Sequence, residues 1–484
     1  MLQVNVTLPS GRSASISVFE SSKVSELRVV AQKALGQGGL KLVAADGHVV
    51  NPSDSVSALG LEDGDHLNAI VQETRLAATE RAFAFWCPGG DQIITWGLPL
   101  YGGDSSAVQD QLRNVQQVQA TDAAFAAILA DGSVVTWGDP NSGGDSSAVQ
   151  DQLRHVQQIQ CTLGAFAAIL SDGSVVTWGS PHQGGHSSEV QDQLRNVRKI
   201  QAALCAFSAI LADGSLVSWG DPTAGGDSFD VQDQLRNVKE VQATEFAFAA
   251  ILAHGGVATW GYEEYGGDSS GVQDQLKNVQ EIQATEGAFA AILADGSIVT
   301  WGGRGFGGDS SKVQHKLENV QQVQATGRAF AAILADGSVV TWGHPIFGGD
   351  SSNVQDQLTS VQQIQATCRA FAAIRTDGSV VTWGHPEYGG DSSAVKHQLG
   401  SVQQIQGTQR AFAAILESRS VITWGDPNAG GDCSAIQDQL SSVQQVQGTA
   451  YAFAANVANG SVFTWGVSDS GGDSSGIQDQ LWTL

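Results

Sequence analysis

The stretch VQQVQATDAAFAAILADGSVVTWG, residues 115–138, decides the fold that this sequence predicts. It contains three short runs, VQQVQAT, AFAAIL and SVVTWG, which are rich in the β-branched and aromatic residues that favour strands. Asp131 and Gly132 separate the second run from the third and form a tight-turn signal. The stretch therefore predicts three consecutive antiparallel strands.

Apolar side chains occur on both faces of these predicted strands. Phe125 and Ile128 point in opposite directions, and so do Val134 and Val135, because successive side chains of a strand alternate between its faces. A sheet that is apolar on both faces needs a packing neighbour on each side. Blades of a propeller and coils of a solenoid both supply such neighbours.

The same pattern recurs with a period of 41 residues from residue 75 to residue 484, which makes ten units. Its most regular marker is the tryptophan of Thr-Trp-Gly or a close variant, at Trp96, Trp137, Trp178, Trp219, Trp260, Trp301, Trp342, Trp383, Trp424 and Trp465. A fixed period of this size indicates stacked supersecondary units. Between units, Ser106 is expected to cap one helical turn with Gln109 reaching back, while Val108 and Leu112 face inward.

The first 74 residues have a different pattern. LQVNVTLPSGRSASISV predicts a hairpin, and the helical spacing that follows predicts a helix with Ser22 as N-cap and Gly36 as its end. KLVAADGHVV predicts a strand pair around a turn, and LEDGDHLNAIV predicts a closing strand. This order indicates a small α+β domain of the β-grasp type over residues 1–74.

This segment resembles ubiquitin over about 74 residues, in its opening strand, its helix, KLVAADGHVV and DGDHLNAIV. The family's conjugating tail ends in Gly-Gly, whereas here VQETRL continues into the repeats, so conjugation is not expected. The family's apolar recognition patch maps onto Leu8, Val43 and Ile70, and Asn68 stands on the face of Ile70 where the family has a histidine. The resemblance implies recognition by ubiquitin-system components; a role as folding cap or scaffold is the alternative.

The repeat pattern V-x-x-I-x-A-x-x-x-A-F-A-A-I-L-x-D-G-S-V-x-T-W-G resembles the regulator-of-chromosome-condensation family of β-propellers in all ten units. Thr121 departs from the family's usual glycine, and Ala124-Phe125 replaces its His-Ser pair. The compact unit is also similar to the three-stranded blades of the bacterial β-lactamase-inhibiting propeller. Because propellers have roughly 4–8 blades, ten units predict either a closed or nearly closed ring, which we favour, or an open spiral. The all-β repeat domain spans 75–484.

Charge and cysteine content restrict the partners and the compartment. The formal net charge of −25 disfavours phosphate backbones and anionic membranes as partners, so neither nucleic acid nor membrane binding is expected. The sequence has five cysteines and no CxxC pair, which indicates free thiols in a reducing compartment. Without an apolar signal segment, the expected location is the cytoplasm or the nucleus.

The sequence offers no convincing catalytic or metal-binding motif. Gly-Gly-Asp-Ser-Ser or a variant of it occurs in every unit, although a catalytic group is needed only once, so we interpret its aspartates as turn and helix caps rather than calcium ligands. His182 and His186 lie on a Gly-Gly loop, where a metal site is not expected. No nucleophile elbow, Walker loop or HExxH motif occurs. We predict neither enzymatic activity nor a cofactor.

The repeats differ mainly in two strips: the loop between Trp-Gly and Gly-Gly, and the residue pair before each Ala-Phe. The second strip includes the basic and aromatic residues Arg81, Arg328, Arg369, Arg410 and Tyr451. The first strip includes the aromatic residues Tyr262, Tyr265, Phe306, Phe347 and Tyr388. Such side chains are common interface anchors, so we expect one or two surfaces that bind an acidic or aromatic-binding protein. Neutral drift in solvent loops is the alternative.

Three classes of function remain open from the sequence. The favoured one is a non-enzymatic adaptor that couples a repeat-bound partner to the ubiquitin system. A second is guanine-nucleotide exchange on a small GTPase, or substrate binding by a relative of propeller-containing ubiquitin ligases that lacks the catalytic domain; both rest on family resemblance alone. A third is an inhibitor or scaffold without a ubiquitin link.

Overall fold

The N-terminal segment folds as a four-stranded sheet with one helix against it. The computed structural model describes residues 1–90 and 92–481. The sheet order is β2-β1-β4-β3, in which β1 is antiparallel to β2 and parallel to β4, and β3 is antiparallel to β4. The elements are β1 (Leu2–Thr7), β2 (Ser13–Val18), α1 (Val24–Leu35), β3 (Leu40–Val43) and β4 (His66–Val71).

Helix α1 forms because its apolar residues share one face. Val24, Leu27, Ala31 and Leu35 recur at spacings of three and four residues and are all buried in the core of the segment. The sequence places the N-cap at Ser22, but the structure begins the helix after Lys23, whose side chain makes no capping bond. Gly36 ends the helix in the left-handed conformation, as the sequence predicts.

The repeats form ten three-stranded antiparallel sheets in succession, consistent with a propeller-like repeat. Units 1 to 5 contain β5 (Arg75–Ala78), β6 (Ala82–Trp86), β7 (Ile93–Gly97); β8 (Val115–Ala120), β9 (Ala124–Leu129), β10 (Val134–Gly138); β11 (Val156–Cys161), β12 (Ala165–Leu170), β13 (Val175–Gly179); β14 (Val197–Ala202), β15 (Ala206–Leu211), β16 (Leu216–Gly220); β17 (Val238–Ala243), β18 (Ala247–Leu252) and β19 (Val257–Gly261).

Units 6 to 10 contain β20 (Val279–Ala284), β21 (Ala288–Leu293), β22 (Ile298–Gly302); β23 (Val320–Ala325), β24 (Ala329–Leu334), β25 (Val339–Gly343); β26 (Val361–Ala366), β27 (Ala370–Arg375), β28 (Val380–Gly384); β29 (Val402–Gly407), β30 (Ala411–Leu416), β31 (Val421–Gly425); β32 (Val443–Gly448), β33 (Ala452–Val457) and β34 (Val462–Gly466). A short helix, α2 (Gln478–Leu481), follows unit 10. No helix within the described ranges is long and apolar enough to cross a membrane.

Each sheet packs on both faces, as the alternation of apolar side chains predicts. Phe125 belongs to a core shared with unit 1, whereas Ile128 of the same strand belongs to a core shared with unit 3. Burying one such side chain contributes about 1.5–3 kcal/mol, so the apolar contacts between neighbouring units stabilise the array.

An indole hydrogen bond joins each unit to the one before it. Trp137 Nε1 donates to the Gly102 carbonyl oxygen at 3.0 Å, and its indole stacks on Phe125. Gly102 has a φ of 89°, and a Cβ there would lie 2.5 Å from the Phe125 side chain, so only glycine fits. In unit 1 the same bond runs from Trp96 to Gly471 of unit 10.

A second series of bonds joins the residues two positions after the end of each first strand. They follow a threonine in every unit except unit 4, where Ala203 takes its place. The backbone N–H of each donates to the carbonyl oxygen of the next at 2.9–3.2 Å. These residues are Glu80, Asp122, Leu163, Leu204, Glu245, Glu286, Gly327, Cys368, Gln409 and Ala450. The last bond of the series, from Ala450 to Glu80, again joins unit 10 to unit 1.

The Gly-Gly-Asp-Ser-Ser segment is a capped turn. Asp104 Oδ1 accepts from the Ser106 backbone N–H at 2.9 Å, and Leu112 is fully buried. The sequence assigns the contact with Gln109 to Ser106, but Ser105 makes it, donating to Gln109 Oε1 at 2.9 Å. The serine that reaches Gln109 is therefore the buried one, whereas Ser106 is exposed.

The N-terminal segment contacts both unit 1 and unit 10. Gln72 Nε2 donates to the Pro88 carbonyl oxygen at 3.1 Å, and Asn456 Nδ2 donates to Thr74 Oγ1 at 2.7 Å. Gly38 lies so close to Gly460 that a Cβ on either residue would overlap the other's backbone. The segment therefore lies where the first and last units meet.

Candidate interaction surface

The two variable strips of the repeats lie side by side on one edge of the array. In each unit, the residue before Ala-Phe accepts a backbone hydrogen bond from the first residue of the loop after Trp-Gly. The His344 N–H donates to the Arg328 carbonyl oxygen, and the His385 N–H donates to the Arg369 carbonyl oxygen, both at 2.9 Å. Residues that the sequence predicts as two separate runs therefore form one surface.

Local sequence fixes the loop conformation on this edge. In unit 8 the 3-10 helix Pro386–Tyr388 begins with proline and ends at Gly389, whose φ is 91°. Thr367 then holds the loop, because its Oγ1 donates to the Tyr388 carbonyl oxygen at 2.9 Å and accepts from the Ala370 N–H at 3.1 Å. The threonine that departs from the family's usual glycine thus positions the aromatic residue.

Arginines and aromatic rings alternate along units 6 to 9. The Arg328 guanidinium carbon lies 4.8 Å from the Phe306 ring centre and 5.2 Å from that of Phe347. Arg369 lies 4.9 Å from Phe347 and 4.7 Å from Tyr388, and Arg410 lies 4.9 Å from Tyr388. We call the set Phe306, Arg328, Phe347, Arg369, Tyr388 and Arg410 the Arg–aromatic row.

The three arginines of the row differ in their carboxylate partners. Arg328 pairs with Glu286 and Arg410 pairs with Asp426, each at 3.4 Å. Within the described ranges, no carboxylate oxygen lies within 4.0 Å of the Arg369 guanidinium nitrogens. Arg369 therefore holds a partly exposed positive charge between two rings, without a carboxylate partner within that distance in the described ranges.

The aromatic residues continue beyond the row into unit 5, where the nearby charges are negative. Tyr265 contacts Phe306 at 5.2 Å and Phe246 at 4.9 Å between ring centres, and the Tyr262 ring lies 5.7 Å from that of Tyr265. Tyr262 is 48% exposed. Burial and the Glu286 carboxylate raise the pKa of Glu245, a shift that Arg328 opposes. The edge thus changes from acidic to basic between units 5 and 7.

Two predicted residues lie on the same edge but outside the row. Arg81 lies 5.5 Å from the Tyr101 ring centre within unit 1. Tyr451 follows the row in unit 10, but no aromatic ring continues the alternation there, because Ala429 and Ser470 occupy the corresponding loop positions of units 9 and 10. Arg81 therefore makes a separate ring contact within unit 1, and neither it nor Tyr451 extends the alternation of units 6 to 9.

The predicted patch of the N-terminal segment is only partly exposed. Leu8 and Val43 are 7% and 8% exposed, and Leu8 belongs to the core of the segment. Ile70 is 48% exposed, and Asn68 is exposed beside it in β4. Only one of the three apolar positions, Ile70, therefore presents its side chain to solvent.

Glu80 of unit 1 and Asp122 of unit 2, which are joined by a backbone hydrogen bond, carry carboxylates that interact. Burial and the neighbouring Glu80 carboxylate raise the pKa of Asp122 to about 6. Within residues 1–90 and 92–481, no group of three or more His, Cys, Asp or Glu side chains is placed to hold a metal ion. His186, on the same Gly-Gly loop as His182, has its Nε2 2.7 Å from the Ser188 hydroxyl.

Comparison with known proteins gives only distant similarities. A chain in the crystal structure of Kap60 bound to yeast RCC1 is 14% identical, with a TM-score of 0.34. The match covers 65% of this chain and 80% of that chain. The CRINKLY WD40 ectodomain of the Arabidopsis thaliana receptor kinase ACR4 has 16% identity and a TM-score of 0.30, covering 56% and 95%. Caldiarchaeum subterraneum ubiquitin has 16% identity and a TM-score of 0.14, covering 15% and 94%. No protein-family model and no curated protein matches the chain.

Proposed function

We propose that this protein is a non-enzymatic interaction adaptor whose repeats bind a partner protein through the Arg–aromatic row. The carrying observation is Arg369, a cation held between Phe347 and Tyr388 with no carboxylate within 4.0 Å in the described ranges. A cation that is fixed by its neighbours loses little side-chain entropy on binding, and aromatic and arginine side chains contribute most at interfaces. The partner surface is expected to be acidic.

The adaptor's repeats close into a ring in this proposal. Its support is the pair of contacts between unit 10 and unit 1, the Trp96 to Gly471 bond and the Ala450 to Glu80 bond, which repeat the contacts between all other neighbours. Leu481 also packs into the core of unit 1 beside Leu76 and Phe83. A ring gives the loops a fixed curvature and leaves no end unit with an uncovered apolar face.

The N-terminal segment supplies the link to the ubiquitin system in this proposal. The order of its elements and the resemblance of its sequence to ubiquitin support a ubiquitin-like domain. Its last strand, β4, leads within four residues into β5 of unit 1, so its end is held rather than free for conjugation. Ile70 and Asn68 offer the exposed contact, smaller than the patch of the family. The free thiols of the repeats suit the cytoplasm or nucleus.

Affinity capture with charge-matched variants tests the adaptor. The full chain, an Arg328→Ala/Arg369→Ala/Arg410→Ala variant and an Arg154→Ala/Arg195→Ala/Arg236→Ala variant are compared as baits, and bound proteins are identified by mass spectrometry. The control arginines are more than 70% exposed and pair only with an aspartate three residues before them. The proposal predicts a partner lost only from the first variant; equal capture by all three baits contradicts it.

A further inference from the structure

We propose that the N-terminal segment holds unit 10 against unit 1, and that its displacement opens the contact between these two units. The inference goes beyond the adaptor and rests only on the ring closure of the proposed function. Three observations carry it. They are a buried asparagine of unit 10 that bonds to the end of the segment, a glycine contact that repeats the one between consecutive units, and hydrogen bonds from the segment to unit 1.

The contact between units 10 and 1 differs from the others in how the chain connects the two units. Every other neighbouring pair is joined by the next stretch of chain, which keeps the two units close to each other. Units 10 and 1 are not consecutive, so noncovalent contacts alone hold them together. Local opening begins where the stabilising contacts are fewest. An element that contacts both units therefore has its largest effect at this place.

Unit 10 differs from the internal units at a buried position of its second strand, β33. The equivalent residue is a buried isoleucine in units 2 to 9, at Ile128, Ile169, Ile210, Ile251, Ile292, Ile333, Ile374 and Ile415. In unit 10 it is Asn456, which is 3% exposed and donates from Nδ2 to Thr74 Oγ1 at 2.7 Å. Because a buried amide without a partner is costly, Asn456 suits unit 10 only while the end of the N-terminal segment lies against it.

A loop of the N-terminal segment takes the place of a following unit beside unit 10. In units 2 to 8, the glycine between the second and third strands lies against the residue just before the first strand of the next unit. A Cβ on these glycines would lie 2.7–2.9 Å from the Cα of that residue, as for Gly132 and His155. In unit 10 this glycine is Gly460, and it lies against Gly38, in the loop between α1 and β3. The segment thus supplies a contact that elsewhere comes from the next unit.

The same part of the segment is hydrogen bonded to unit 1. Lys41 Nζ donates to the Gly89 carbonyl oxygen at 3.3 Å, and Gln72 Nε2 donates to the Pro88 carbonyl oxygen at 3.1 Å. Pro88 and Gly89 come shortly after β6, the second strand of unit 1. Lys41 is only three positions after Gly38, so residues 38–41 contact both units within one short stretch. This stretch is therefore placed to hold the two units together.

Two substitutions in the full chain displace the segment in different ways. Gly38→Ala adds a Cβ that overlaps the Gly460 backbone. Thr74→Val removes the hydroxyl that accepts from Asn456, while the shape of the side chain is kept. Gly271→Ala is the matched control, because no atom lies within 4 Å of its added Cβ.

Hydrogen–deuterium exchange at single amides is the measurement. The Ala450 amide donates to the Glu80 carbonyl oxygen at 3.1 Å, across the contact of units 10 and 1. We expect its exchange to become about tenfold faster in both variants, the effect of leaving one buried hydrogen-bonding group without its partner. The Glu245 amide, which donates to the Glu286 carbonyl oxygen at 3.0 Å between consecutive units, should not change. The control variant should leave both amides as in the wild-type chain.

Several results would overturn the inference. An Ala450 amide whose exchange is unchanged in either variant shows that the segment does not hold the two units together. Equal acceleration at Ala450 and Glu245 shows that the substitutions loosen the whole array. If Ala450 exchanges in the wild-type chain as fast as an unprotected amide, ring closure itself fails. Slow exchange in the wild-type chain and in both variants leaves ring closure standing and removes only the role of the segment.

Discussion

Trp96 donates its indole hydrogen bond to the carbonyl oxygen of Gly471 at 3.0 Å, although 375 positions separate the two residues. The same bond joins Trp137 to Gly102, only 35 positions earlier, and recurs at every later unit boundary. Units 1 and 10 therefore meet through the contact that joins consecutive units. The interface between units 10 and 1 should therefore be as strong as one between consecutive units.

Replacing the tryptophan at this interface tests the equivalence. Trp96→Phe and Trp260→Phe each remove one indole hydrogen bond, and the Trp260 bond to Gly225 is internal to the array. We expect each variant to lower the free energy of unfolding by a similar amount, about 1 kcal/mol for the hydrogen bond plus the loss of packing. Urea unfolding measures both. A large loss in Trp260→Phe with almost none in Trp96→Phe would mean that the ends are apart.

A second prediction concerns the contact of the N-terminal segment with unit 10. Gly38→Ala should push the segment away from Gly460, because the added Cβ overlaps the Gly460 backbone. The readout is alkylation of Cys87, which is 2% exposed and whose pKa is raised to about 11 by burial. We expect faster labelling of the Cys87 peptide by mass spectrometry.

Gly271→Ala is the matched control for this substitution, because no atom lies within 4 Å of its added Cβ and its φ is not positive. Its Cys87 labelling should equal that of the wild-type chain. Unchanged labelling in Gly38→Ala as well would show that the segment does not rest on unit 10.

A third prediction follows from the raised pKa of Asp122, about 6 against an ordinary 3.8. A carboxyl whose pKa is higher in the folded state favours folding below its ordinary pKa, and this contribution is lost as pH rises through about 6. Asp122→Asn should therefore raise the thermal midpoint at pH 8 relative to wild type, and not at pH 4. Solvent screening limits the gain in the free energy of unfolding to about 1 kcal/mol.

Asp131→Asn provides a contrast of opposite sign. Hydrogen bonds from the Ser133 hydroxyl and backbone N–H lower the pKa of Asp131. Its carboxylate therefore stabilises the fold at neutral pH, and its replacement should lower the thermal midpoint at pH 8. A shift of the same sign in both variants would contradict the assignment for Asp122.

A fourth prediction concerns the exposed contact of the N-terminal segment. Ile70→Asp should abolish binding to an immobilised ubiquitin-interacting motif, because Ile70 is the exposed member of the predicted patch. Val30→Asp is the control, since Val30 is similarly exposed at 47% but lies on α1. Surface plasmon resonance measures both variants. No binding by the wild-type chain, or equal loss in the two variants, would remove the proposed link to the ubiquitin system.

The sequence predicted the repeat unit well because its cues are local. The alternation around Phe125, the Asp131-Gly132 turn and the recurring tryptophan each depend on a few neighbouring residues, and the structure forms the expected three strands. The N-cap of α1 and the serine that contacts Gln109 were assigned one residue away from their observed positions. Several adjacent residues could fill these roles, and only the packing around them decides.

The sequence predicts which residues belong to the site, but not how they are arranged in space. Arg328 and Phe347 appear in different strips of the sequence, and only the backbone bond between the strips brings them together. The constant interval of 19 residues from Arg328 to Phe347 and from Arg369 to Tyr388 could have indicated their pairing. The carboxylates of Glu286 and Asp426 could not have been assigned, because their reach depends on side-chain conformation. The burial of Leu8 likewise could not be predicted, because it depends on the conformation of the turn between β1 and β2.

Hydrogen–deuterium exchange of the full chain with the partner protein that it captures tests most directly whether the Arg–aromatic row is the binding surface. The account predicts slower exchange at the backbone amides of residues 344–349 and 385–390 and around Arg369, with little change elsewhere. It also predicts that the Arg328→Ala/Arg369→Ala/Arg410→Ala variant shows no such protection. Protection located instead around Glu80 and Asp122 or in residues 1–74, or protection that survives in the triple variant, would contradict it.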